Sequence, residues 1–82
     1  MEKRPTARTL QKGENAIIQE IKKNEFSSRL LSLGIIPGKK CSIAGWAPFG
    51  GAGILALDNH QIALRDVELD SIYIHHTKAG GL

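Results

Sequence analysis

Apolar side chains recur along this chain at two spacings, and the change of spacing marks its elements. Phe26, Leu30 and Leu33 fall at i, i+4 and i+7, with Leu31 beside them, the stripe of one short amphipathic helix whose start Asn24 can cap with its side-chain oxygen. Gly34 follows the last periodic residue, where a left-handed glycine closes a Schellman cap, and Ile35 is then placed to pack back on Leu30. Pro37-Gly38 turns the chain toward a strand.

Elsewhere the period is two. Glu14 to Ile21 carries Ile17, Ile18 and Ile21 and reads as a strand, although Gln19-Glu20 leaves a helix open. Lys39 to Trp46 alternates, Cys41 and Ile43 opposite Lys40 and Ser42, with Gly45 marking a bend. Gly50-Gly51-Ala52-Gly53 excludes a helix and leads into the apolar strand Ile54 to Leu57. Asp58-Asn59 turns the chain, and His60 to Leu64 returns as the second arm of a hairpin. Asp66 to Asp70 reads as one helical or 3-10 turn, and Ser71 to His75 closes with Ile72 and Ile74 on one face. Five short strands at spacings of roughly ten residues, with one real helix, predict a mainly β fold, a small closed or nearly closed barrel.

Size and charge narrow the function classes. A chain of 82 residues forms one domain with little room for an enclosed catalytic cleft, which favours a binding module over an enzyme. The net charge of +3 lies wholly in residues 1–12, where Lys3, Arg4, Arg8 and Lys12 meet only Glu2. From Gly13 onward the basic residues Lys22, Lys23, Arg29, Lys39, Lys40, Arg65 and Lys78 are balanced by Glu14, Glu20, Glu25, Asp58, Asp66, Glu68 and Asp70. A neutral body has no contiguous basic face for nucleic acid, so no such partner is expected. The expected organisation is a basic, solvated leader over 1–12, a barrel over 13–76 and a flexible tail over 77–82. One cysteine, Cys41, excludes an internal disulfide, no N-terminal apolar stretch reads as a signal peptide, and no run is long enough to cross a membrane. A cytoplasmic setting without membrane insertion is expected.

Candidate chemistry is sparse. His60, His75, His76, Cys41 and Asp58 could each ligate a metal, but His75 and His76 are adjacent on a strand and point to opposite faces, and Cys41 lies on an apolar face. No metal or cofactor site is assigned. The glycine run lacks the following helix and the lysine of a phosphate cradle, and no base is spaced to activate Cys41 or a serine. Trp46-Ala47-Pro48-Phe49 places two of the four aromatics in one loop, where they either meet a partner or cover the barrel mouth.

The string Arg29-Leu30-Leu31-Ser32-Leu33-Gly34-Ile35-Ile36-Pro37-Gly38, with Ala47-Pro48-Phe49-Gly50-Gly51, Ile62-Ala63-Leu64-Arg65 and Glu68 to Ile74 following in order, resembles the FeoA family, small cytoplasmic partners of the ferrous-iron permease FeoB. The resemblance spans roughly Gly13 to Ile74. It departs where Leu10 alone precedes Gly13 and where Ala52 replaces a proline after the glycine pair. It implies an SH3-like five-stranded barrel with the helix over one opening, and a non-enzymatic adaptor of FeoB that contacts its GTPase domain or its membrane part. Trp46, Pro48, Phe49, Arg29 and Leu31 are the expected partner-binding residues. Two other readings stay open: a regulatory module like the C-terminal domain of iron-dependent repressors, although no helix-turn-helix precedes the barrel, and a small-barrel nucleic-acid binder resting on the leader.

Overall fold

The computed structural model describes residues 4–77. Five strands alternate with two short helices: β1 (Asn15–Ile21), α1 (Ser27–Ser32), β2 (Lys40–Trp46), β3 (Ala52–Ala56), β4 (Gln61–Arg65), α2 (Asp66–Leu69) and β5 (Ile72–His76). All pairings are antiparallel, and the strands lie in the order β4-β3-β2-β1-β5. The sheet curls without closing. Its two edge strands, β4 and β5, follow one another in the chain, are joined by α2 and do not pair with each other.

β1, β2, β4 and β5 form within a residue of where the sequence places them, whereas β3 runs Ala52–Ala56 rather than Ile54 to Leu57, so that Gly53 lies inside the strand. In β2, Cys41 and Ile43 point inward, 4% and 1% exposed, and the bend expected at Gly45 is a register shift against β3 between Ile43 and Gly45. In β1 the inward residues are Ala16, Ile18 and Ile21, and a second irregularity against β5 lies between Ile18 and Glu20. Ile18, Ile43, Leu55, Leu64, Leu69, Ile72 and Ile74 form the centre of the core, and burial of each stabilises the fold by about 1.5–3 kcal/mol.

Helix α1 covers one opening with Leu30, Phe26 and Leu33, the first fully buried and the others packed against the core. Its end is the expected Schellman cap: Ile35 N–H donates to Leu30 O at 3.1 Å, Gly34 N–H to Leu31 O at 3.0 Å, and Gly34 has φ +89°. Its start differs in detail. Asn24 Oδ1 accepts the Phe26 N–H at 2.8 Å, an Asx turn that precedes the helix rather than capping its first turn.

The leader expected over residues 1–12 is corrected from Thr6 onward. Ala7–Thr9 is a 3-10 turn, Ala7 and Leu10 are buried in the core, and Thr6 Oγ1 donates to Asp70 Oδ1 at 3.0 Å. Lys12 bridges in parallel to Ile43 and Gly13 N–H donates to Ile43 O at 2.9 Å. Charge made this segment look solvated, but Arg8 and Lys12 are exposed while Ala7 and Leu10 reach inward. Residues 1–3, with Lys3, and the tail from residue 78 lie outside the described residues.

Candidate partner-binding surface

The loop between β2 and β3 is built by its glycines. Ala47 N–H donates to Ala52 O at 2.9 Å and Gly50 N–H to Ala47 O at 3.0 Å, while Gly50 and Gly51 sit at φ +80° and +85°, a pair of left-handed residues that lifts Pro48 and Phe49 to the apex. The two aromatics then part. Phe49 is 100% exposed, touching nothing. Trp46 is half-buried against the core, and its indole N–H donates to Leu10 O at 3.1 Å. A Cβ at Gly53 would stand 2.6 Å from the Trp46 ring, so the ring packs directly against the glycine and leaves no room for a side chain there. Of the two roles open for this loop, Trp46 covers the barrel end and Phe49 faces solvent.

Arg29 projects from α1 to Glu68 of α2, whose carboxylate is 7% exposed. The second oxygen of Glu68 accepts the Arg65 N–H at 2.9 Å, so the α2 start holds a buried anion with both oxygens satisfied. Arg29, Phe26, Glu68 and Arg65 line one groove with Ala52, Ala63 and Leu64, which brings Arg29 beside the base of the Phe49 loop. Leu31, two residues along α1, falls on another flank and is 47% exposed. The expected surface residues therefore divide: Arg29 borders the groove at the loop base, Pro48 and Phe49 crown the loop, Leu31 faces elsewhere and Trp46 lies half-buried against the core.

Sequence reasoning missed Glu68, which reads as an ordinary surface acid in a polar stretch. The one signal is its place three residues after Arg65 at a helix start, where a glutamate can reach back to a free N–H. On the opposite side, Arg4 stacks 3.7 Å from the centroid of the Tyr73 ring and pairs with Glu20 at 2.9 Å.

The metal candidates stay apart. Cys41 is buried, and desolvation pushes its thiol up from 9.0 to about 11. His60 lies against the end of α1, Nε2 3.3 Å from Leu33 O and Nδ1 3.1 Å from Asn59 Oδ1. Among the described residues no three histidine, cysteine, aspartate or glutamate side chains gather into a metal-holding group, and no helix is long and apolar enough to cross a membrane.

The fold is an open five-stranded antiparallel sheet lidded by one helix, with an apolar loop tip and an arginine-walled groove. The FeoA domain model matches residues 6–76, and the chain belongs to the FeoA family. A FeoA-like protein from Clostridium acetobutylicum is similar in structure, with a TM-score of 0.83 and 22% identity over 93% of this chain and 90% of that one. FeoA of Stenotrophomonas maltophilia, solved with zinc and described as a procaryotic SH3 domain protein, gives 0.76 and 19% over 85% and 88%. A manganese-dependent transcriptional repressor gives 0.79 and 14% over 90% of this chain but only 41% of its own. A search of curated proteins gives no match.

Proposed function

We propose that this chain is a non-enzymatic cytoplasmic adaptor that binds and modulates the ferrous-iron permease FeoB. The observation that carries this reading is membership of a ferrous-iron-transport family over residues 6–76, nearly the whole described fold. The S. maltophilia relative is described as a candidate ferrous iron transport activating factor. The surface supports a binding role: Phe49 is wholly exposed, and Arg29 and Arg65 border a groove at the base of its loop. Aromatic and arginine side chains are the types that dominate protein interfaces. The likeness to the manganese-dependent repressor concerns the fold, which hosts unrelated functions, and favours no second reading.

The test is a titration of the full chain against detergent-solubilised FeoB, with the isolated GTPase domain as a second arm. Saturable binding to the permease or to that domain is expected. Absence of binding to both at tens of micromolar overturns the adaptor reading.

A further inference from the structure

The sheet has two edges, and the chain treats them differently. Along β5 the outer edge is covered by the N-terminal segment: Ile74 N–H donates to Pro5 O at 3.1 Å, and Thr6 bridges to Tyr73. Along β4 no strand or backbone bridge lies among the described residues, and α1 reaches this edge only at its two ends, through Leu33 O near His60 and Arg29 on Glu68. The hairpin register tells which backbone groups this leaves free. Leu57 N–H donates to His60 O and Asp66 N–H to Gly51 O, each at 2.9 Å, which makes these two the hydrogen-bonded pairs at the ends of an unbroken antiparallel ladder. Alternation then makes Ala56/Gln61, Ile54/Ala63 and Ala52/Arg65 the non-hydrogen-bonded pairs, whose N–H and C=O groups point away from the partner strand. Arg65 N–H is taken by Glu68. Gln61 and Ala63 keep a donor and an acceptor each, with no hydrogen bond to them among the described residues.

Beside this edge runs the groove of about 460 Å³ walled by Phe26, just before α1, and Arg29 of α1, with Ala52, Ala63 and Leu64 beneath. Arg65 is exposed and has no ion pair among the described residues, and the Arg29 side chain remains 55% exposed beyond its contact with Glu68. Ile54, paired with Ala63 on the outer face, is 40% exposed. Natural sheets guard such an edge with a lysine, a proline or a bulge, and β4 has none of these from Gln61 to Leu64.

We propose that β4 is a docking edge for an extended segment of a protein partner in which apolar and acidic residues alternate. The segment adds a sixth strand through the backbone of Gln61 and Ala63, lays apolar side chains beside Ala63 and Ile54 on the outer face, and turns its alternate carboxylates to the other face, toward Arg29. This rests on the adaptor reading and names the surface by which the partner is held.

The test uses the full chain, nitrogen-15 labelled, and the peptide Glu-Val-Glu-Val-Glu-Val-Glu, with lysine in place of glutamate as the control. On saturation, amide exchange at Gln61 and Ala63 should slow by about tenfold or more. Arg65→Glu should weaken binding by about fivefold or more, and the lysine peptide should not bind. Ala63→Pro removes an N–H that the sheet does not use, and Ala63→Glu places a like charge on the edge while keeping that N–H; each should abolish binding with the fold intact by proton spectra. Unchanged exchange at both residues, equal binding of the lysine peptide, or full binding by a folded Ala63 variant overturns the proposal. So does concentration-dependent dimerisation without peptide that Ala63→Glu removes, which would assign the edge to a second copy. A parallel titration of FeoB separates the two readings. If the permease binds wild type and Ala63→Glu equally, the adaptor stands and the docking edge falls; if the peptide docks at β4 but the permease does not bind, the reverse holds.

Discussion

Gly34 is held at φ +89°, where a side chain suffers from its own backbone rather than from neighbours: the nearest atom to an added Cβ would be a His60 ring carbon at 3.8 Å, an ordinary contact. Gly34→Ala should therefore cost about 1–2 kcal/mol through left-handed strain alone, lowering the melting temperature by roughly 5–15 °C. An unchanged melt would mean that α1 does not depend on this cap. Cys41 gives a second prediction at this scale. Burial raises its thiol from 9.0 to about 11, so an acid is kept neutral in the folded state over a range where the unfolded chain ionises it. Below pH 9 the group contributes nothing to the pH dependence. Between pH 9 and 11 the unfolded state holds fewer protons than the folded one, and stability falls by up to about 1.4 kcal/mol per pH unit. Cys41→Ala should lose that alkaline slope, read from denaturant melts at a series of pH values; an identical slope in wild type and variant would show that the thiol is not desolvated. Both residues were legible in the sequence because their roles are local: a glycine past a helical stripe, and a cysteine in an alternating strand. Gly53 was not, since only the fold lays Trp46 across it.

Among the elements, α2 carries more than its length suggests. Glu68 accepts from Arg65 N–H and from Arg29 while only 7% exposed, and so ties the gap between β4 and β5 to the helix lid. Glu68→Ala should cost about 2–3 kcal/mol, because it uncaps α2 and removes a buried, fully bonded group, while Glu68→Gln, which still accepts from Arg65, should cost less. Because Arg29 is half-exposed, its coupling to Glu68 in a double-mutant cycle should be modest, about 1 kcal/mol. A cycle that sums to zero would reduce the pair to a surface contact. The strands were legible element by element, since period-two burial in β1, β2 and β5 is written locally. Closure was not. Whether the edge strands meet depends on pairing between distant residues, and here β4 and β5 stay unpaired, linked only along the chain by α2.

At the scale of the whole molecule, the N-terminal segment belongs to the fold, and this changes how function must be tested. Leu10 is 2% exposed and its carbonyl receives the Trp46 indole, so Leu10→Ala should destabilise by about 2–4 kcal/mol in a denaturant melt, where a solvated leader would show no change. Its burial was invisible in a stretch dominated by Lys3, Arg4, Arg8 and Lys12, because one leucine and one alanine set no period. Truncating residues 1–12 therefore removes core as well as charge, and loss of binding in such a variant says nothing about the leader as a contact. Trp46→Ala is no cleaner, as the ring packs on Gly53 and bonds to Leu10. Phe49 is the position that isolates recognition. It touches nothing in the folded chain, so Phe49→Ala should leave the melting temperature within about 2 °C of wild type. If the loop tip is an anchor for FeoB, the same change should weaken binding by about 1–3 kcal/mol, roughly 5- to 150-fold in Kd. Charge neutralisation at Lys3 and Arg4 should cost little, because the body from Gly13 onward is neutral and affinity must come from short-range contact. Normal binding by a folded Phe49→Ala, with binding lost on neutralising Lys3 and Arg4, would move the recognition surface from the loop to the N-terminal side of the molecule.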